Sequence, residues 1–107
     1  MKLRDILFRN SIITDLKSGP KEEVLRKLSL FLCSLNNLED PESITEGILN
    51  REAEMPTGIG FGIAVPHVRT ALAKTIHLAV ARCPEGINYD AIDGNPVKLI
   101  FMLIVPK

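Results

Sequence analysis

Two side chains in this sequence combine the chemistry and the setting needed to handle an anion. His67 follows the short apolar run Ile63-Ala64-Val65, Pro66 fixes the approach of the chain to it, and a glycine-rich segment precedes both. A side chain at the end of a strand, beside accessible main-chain N–H groups, is well placed to meet an anion. Neutral imidazole, with an ordinary pKa of about 6.5, is also a nucleophile near neutral pH. Arg51 lies sixteen residues earlier, near the end of a helical stretch. Guanidinium matches phosphoryl oxygens through paired, parallel hydrogen bonds. A helix-borne arginine taken alone is ordinarily a solvated surface residue. Its company, His67 and the glycine segment, singles it out.

That segment reads Pro56-Thr57-Gly58-Ile59-Gly60-Phe61-Gly62, with glycine at every second position. It is a poor helix and a poor strand interior. It reads as a loop whose backbone can take unusual dihedrals or approach a ligand closely. Thr57, Gly58, Gly60 and Gly62 are the candidate anion-loop residues. The other histidine, His77, lies in an alternating apolar stretch, where a histidine is ordinarily a satisfied or half-exposed strand residue.

The elements that must position these groups follow from spacing. Ser11 to Leu16 reads as a short strand. Ser18-Gly19-Pro20 opens a helix, with Pro20 near its first turn and Glu22 and Glu23 at the positive end of its dipole. Val24, Leu25, Leu28, Phe31, Leu32 and Leu35 recur at helical spacing and form its core face. Asn36 and Asn37 end it. Asp40-Pro41 starts a second helix as N-cap and first helical residue. It turns Ile44, Ile48 and Leu49 inward and ends near Glu54, before Pro56. Thr75 to Arg82 alternates, with Ile76, Leu78 and Val80 on the inward face. Val97 to Val105 is apolar on both faces after Lys98, as a central strand is. Helices first, strands later, and two sheet faces needing cover indicate a mixed α/β layer structure.

Composition narrows the function. The chain has 107 residues, enough for one domain, residues 1–107, with a real core. Thirteen basic and thirteen acidic residues balance, which argues against a nucleic-acid or membrane-surface protein. Aromatic content of 5% without tryptophan leaves few stacking platforms. No apolar run has the length of a membrane span. Arg4 and Asp5 stand where a secretory signal would be apolar, so a cytoplasmic location is expected. Cys33 and Cys83 lack zinc-ligand or CxxC spacing and read as reduced, half-buried thiols.

Arg51-Glu52, followed by Pro56-Thr57-Gly58-Ile59-Gly60-Phe61-Gly62-Ile63-Ala64-Val65-Pro66-His67, resembles the active-site signature of the type 2 IIA domains of the sugar phosphotransferase system. Ala91 to Phe101 resembles a later segment of that family. Ile12 to Leu16 with Lys21 to Leu25 resembles its opening, so the likeness runs over essentially the whole chain. The resemblance implies an α/β (α+β) fold, a mixed β-sheet covered by helices on both faces, and that His67 is the phosphorylated histidine and Arg51 steadies the phosphoryl group. It implies phosphate received from the histidine-containing carrier HPr and donated to a IIB domain, with no metal or nucleotide cofactor at this step. The membrane is involved only indirectly, through a IIC permease. Pro66-His67-Val68-Arg69 is more similar to the fructose-like transport branch than to the nitrogen-regulatory branch, which tends to Gly-Lys after the histidine. In the regulatory branch, phosphorylation of the same histidine changes protein partners instead.

The family's pattern places a second histidine and closing helices shortly after the segment that reads here Val105-Pro106-Lys107. A C-terminally incomplete domain, with an uncovered apolar sheet face and a tendency to self-associate, is the expectation.

Overall fold

The computed structural model describes residues 11–107. Arg4 and Asp5, the polar start noted above, lie outside the described residues. Strand β1 spans Ile12–Ile13, helix α1 Lys21–Leu35 and helix α2 Pro41–Glu54. Strands β2 (Gly58–Gly60), β3 (Ile63–Ala64) and β4 (His67–Thr70) follow, then β5 (His77–Ile87) and β6 (Val97–Pro106).

Both helices start where their signals lie. Pro20 caps α1 with extended backbone (φ −56°, ψ 136°), and Glu22 and Glu23 occupy the first turn. Asp40 caps α2 through its side chain, which accepts from the Ser43 N–H at 3.2 Å, and Pro41 takes the first turn. Val24, Leu25, Leu28 and Leu32 of α1 pack with Ile44 and Ile48 of α2, all at most 4% exposed. Ser29 and Thr45 share a buried hydroxyl–hydroxyl bond of 2.7 Å, so this buried polar pair is satisfied. Phe31 and Leu49 pack at the margin of the core rather than inside it.

The sheet is mixed, with order β1-β5-β6-β3-β2. Its axis is β6, paired antiparallel with β5 on one side. On the other side β3 and β4 lie end to end, both parallel to β6, with Ile63 opposite Leu99 and His67 opposite Leu103. The helices cover the face carrying Ala79, Ala81, Cys83, Ile100, Met102 and Ile104. On the opposite face Leu99, Phe101, Leu103 and Val105 are half-buried.

Four sequence expectations change here. The inward face of β5 is Ala79, Ala81 and Cys83, each 0% exposed, and Ile76, Leu78 and Val80 face the other way. Small residues sit inward because α1 comes down directly on them, and bulk falls to the thinner side. Strand β5 also runs on to Ile87, through a register irregularity after Arg82. Pro84 donates nothing to the ladder and Gly86 has φ +82°, which is why the sequence reads as ending earlier. Only Ile12 and Ile13 of the expected first strand pair, with Val80 and Ala81. Both cysteines are free but fully buried rather than half-buried.

Candidate active site

His67 opens β4, half-buried, directly after Pro66. The Pro66 carbonyl accepts from the Leu103 N–H at 3.0 Å, which fixes the register of His67 on β6. The imidazole turns back on its own chain, with Nδ1 2.8 Å from the carbonyl oxygen of Val65. A carbonyl only accepts, so Nδ1 carries the proton in that bond. The neutral ring therefore presents Nε2 with its lone pair as the nucleophilic atom.

Helix α2 brings Arg51 toward this strand. A Cβ built on Gly47 would lie 2.8 Å from Cγ2 of Val68, the residue after His67, so glycine lets the helix rest closely on β4. Arg51 is one turn further along the same helix face. Its Nη1 donates to the Met55 carbonyl at 3.2 Å, closing the C-terminal turn of α2. A guanidinium has five N–H donors, so this bond leaves most of them for a ligand. Among the described residues no carboxylate pairs with Arg51.

The glycine segment is not the loop the sequence suggested, and most of it is not beside His67. It folds as the hairpin β2–β3, with an irregularity between Gly58 and Gly60. The turn is Phe61-Gly62, where Phe61 has φ 59° and Gly62 has φ 76°. Since Ile63 and His67 pair with positions four residues apart on β6, this turn lies about 13 Å or more from the histidine at the usual rise per strand residue. Gly60 and Gly62 are thus turn residues at the far end of the hairpin. Asp93 secures that end by accepting from the Phe61 N–H at 3.0 Å. Gly58 is a packing glycine, because a Cβ there would sit 2.8 Å from Cβ and 2.9 Å from Cα of Ala91. Thr57 alone of the four candidates lies at the histidine end. Its carbonyl accepts from the Val65 N–H at 3.0 Å.

Thr57 leads to a group that sequence reasoning passed over. Glu52, 5% exposed, accepts from the Thr57 N–H at 2.7 Å and the Thr57 hydroxyl at 2.5 Å. It also accepts from the Tyr89 hydroxyl at 2.9 Å and pairs with Lys21 Nζ at 3.1 Å. Burial is the largest single influence on its carboxyl and pushes the pKa up. The Thr57 hydroxyl and amide, Lys21 and Tyr89 together outweigh it and hold the pKa below the usual value. The same burial drives the Tyr89 hydroxyl far above its ordinary pKa. One signal was available: Ile44, Ile48 and Glu52 are spaced by four, which puts the carboxylate on the apolar stripe of α2.

His77, on β5, is half-buried, and burial lowers its pKa. It pairs in register with Ile104 while His67 pairs with Leu103, so successive positions of β6 turn the two histidines' partners to opposite faces. No helix of the described residues is long and apolar enough to cross a membrane.

The chain is similar to known proteins in sequence and in fold. The chain is 37% identical over 103 residues to the fructose-specific EIIABC component of Bacillus subtilis, covering 96% of this chain and 16% of that protein. It is 38% identical over 86 residues to the fructose-specific EIIA component of Haloferax volcanii, covering 80% of this chain and 56% of that one. The chain therefore spans little more than half of one of these relatives and a small part of the other. The crystal structure of nitrogen regulatory protein IIA-Ntr from Neisseria meningitidis matches with a TM-score of 0.88 at 36% identity, over 96% of this chain and 70% of that one. Residues 5–107 match the family described as phosphoenolpyruvate-dependent sugar phosphotransferase system, EIIA 2, and the chain belongs to that family.

Proposed function

We propose that this domain is a phosphocarrier in which His67 takes a phosphoryl group from HPr and passes it to a IIB domain of a fructose-like transport system. The observation that carries the reading is the 2.8 Å contact between Nδ1 of His67 and the Val65 carbonyl, which leaves Nε2 as the attacking atom. In the step, the Nε2 lone pair forms a bond to phosphorus as the phosphorus–nitrogen bond to the donor histidine breaks. No proton has to leave the ring, since Nδ1 keeps its hydrogen. The Val65 carbonyl faces the positive charge that the ring acquires. Arg51, one helical turn beyond the Gly47–Val68 contact, supplies donors for the equatorial oxygens, whose charge is the main thing such a site must stabilise. The fructose-specific names of the Bacillus and Haloferax relatives support the transport branch.

A second reading, in which phosphorylation of His67 switches protein partners, is favoured by the likeness to IIA-Ntr of Neisseria. Onward transfer separates the two. The phosphorylated domain is mixed with a purified fructose-type IIB domain, and movement of the label is followed. Rapid transfer to IIB is expected. Label retained on this chain in the presence of a competent IIB would favour the partner-switching reading.

A further inference from the structure

Glu52 is the charged residue that is buried among the described side chains. Removing a carboxylate from water costs several kcal/mol unless it is fully partnered. Here it is met by four donors, yet it does not touch His67. Its partners come from three separate segments. Lys21 begins α1, Tyr89 follows β5, and Thr57 precedes β2. Lys21 is held in turn by the Tyr89 carbonyl at 3.0 Å and lies 4.2 Å from the centre of the tyrosine ring.

From Thr57 the bonding continues toward the site. Glu52 grips the Thr57 N–H and hydroxyl, the Thr57 carbonyl accepts from the Val65 N–H at 3.0 Å, and the Val65 carbonyl accepts from His67 Nδ1 at 2.8 Å. We propose that Glu52 is a positioning residue for His67: by holding Thr57 at two points it fixes the Val65 carbonyl, and that carbonyl holds the ring with Nε2 outward. The proposal rests on the reading of His67 as the phosphoryl acceptor. Its logic is geometric. Two bonds to one residue remove the rotation that a single bond leaves, so the direction of the Thr57 carbonyl is set. Val65 is then tied at its N–H to that carbonyl, and its own carbonyl can meet the ring in one orientation. Glu52 also follows Arg51 directly on α2, and the two side chains leave the helix about 100° apart. The same carboxylate thus ties the helix end that carries Arg51 to the strand start that carries His67. A misplacement of about 1 Å between such groups can cost about a hundredfold in rate.

Four variants of the full 107-residue chain test this: Glu52→Ala, Glu52→Gln, Thr57→Ala and Thr57→Ser. The readouts are the ring tautomer of His67 from long-range proton–nitrogen NMR, kcat and KM for transfer from phosphorylated HPr, and the far-UV circular dichroism melt. Glu52→Ala is expected to lower the share of the Nδ1-protonated tautomer and to reduce kcat by about tenfold or more, with little change in KM. Glu52→Gln keeps an oxygen for the Thr57 N–H and offers its NH2 to the two hydroxyls, so it is expected to recover most of both. Should Glu52→Ala fail to fold, the Thr57 pair reads the same link. Thr57→Ala is then expected to shift tautomer and kcat in the same direction, and Thr57→Ser to leave them near wild type. A folded chain lacking the carboxylate or the hydroxyl, with wild-type tautomer and kcat, overturns the proposal. The tautomer needs no phosphodonor. A chain that takes no label but shows a Glu52-dependent tautomer would overturn the phosphocarrier reading alone. Normal labelling that ignores Glu52 would overturn the positioning role alone.

Discussion

Val65 holds His67 from two residues upstream, its carbonyl oxygen 2.8 Å from Nδ1 of the ring. A histidine that opens a strand would otherwise be free to rotate about two side-chain bonds. The local contact fixes the tautomer and points the other nitrogen outward. Pro66 lies between them, and its carbonyl accepts from the Leu103 N–H, which ties this stretch to β6.

Arg51→Lys keeps a charge but loses the paired geometry of the guanidinium. A charge-assisted hydrogen bond is worth about 1.5–3 kcal/mol, so transfer from HPr is expected to slow by about tenfold or more. Folding should change little, because the side-chain bond from Arg51 to the Met55 carbonyl is exposed. Rates and urea midpoints measured on the same preparation check both halves. An unchanged rate would make Arg51 a solvated C-terminal helix residue.

Gly47→Ala sets two effects against each other. Alanine is the better helix former by about 1 kcal/mol. Its Cβ, however, would lie 2.8 Å from Val68 Cγ2, so α2 must lift from β4 or Val68 must turn. If Arg51 steadies the phosphoryl group on His67 as proposed, transfer is expected to fall even where the melting temperature does not, because α2 then shifts relative to β4. Equal stability with equal transfer would show that the helix–strand spacing is not critical.

Gly58→Ala introduces a methyl group against the backbone of Ala91 at 2.9 Å, where no flexible side chain can yield. Overpacking of this kind costs about 1–3 kcal/mol. Gly19→Ala is the control, since its nearest neighbour would be Val24 Cγ2 at an ordinary 3.8 Å. Urea unfolding should show clear destabilisation for the first and none, or a slight gain, for the second.

Acid should destabilise the domain in two stages. Burial holds the His77 pKa below its ordinary 6.5 in the folded state, so the unfolded chain binds the proton first. Its stability contribution is full above pH 6.5 and is lost as pH falls from there through the folded value. Glu52 has a folded pKa below 4.5, and its contribution is present above 4.5 and lost as pH falls through the folded value. Urea midpoints between pH 7.5 and 3 should therefore decline on both stretches, and His77→Gln should remove the upper one. A midpoint flat between pH 7 and 5 in the unaltered chain would contradict the assignment for His77.

The helix starts and the central strand were legible because each has a local cause. Asp40-Pro41 caps, and Leu99 to Val105 is continuously apolar. The glycine segment was misread because alternate glycines look like a ligand loop. Pairing with β3 and packing of Gly58 on Ala91 make it a hairpin, and those partners are distant in sequence. The inward face of β5 was misread for a related reason. Hydropathy favours Leu78 and Val80, while the residues that lie under the helices, each 0% exposed, are Ala79 and Ala81. Glu52 stood out only by its spacing of four from Ile48, because its four donors come from residues up to 37 positions away.

Labelling of His67 tests the central claim most directly. The chain is incubated with enzyme I, HPr and labelled phosphoenolpyruvate, beside His67→Ala and His77→Ala. Acid-labile label is expected on the unaltered chain and on His77→Ala, with none on His67→Ala. Label that persists without His67, or that is lost equally in both variants, would contradict the account.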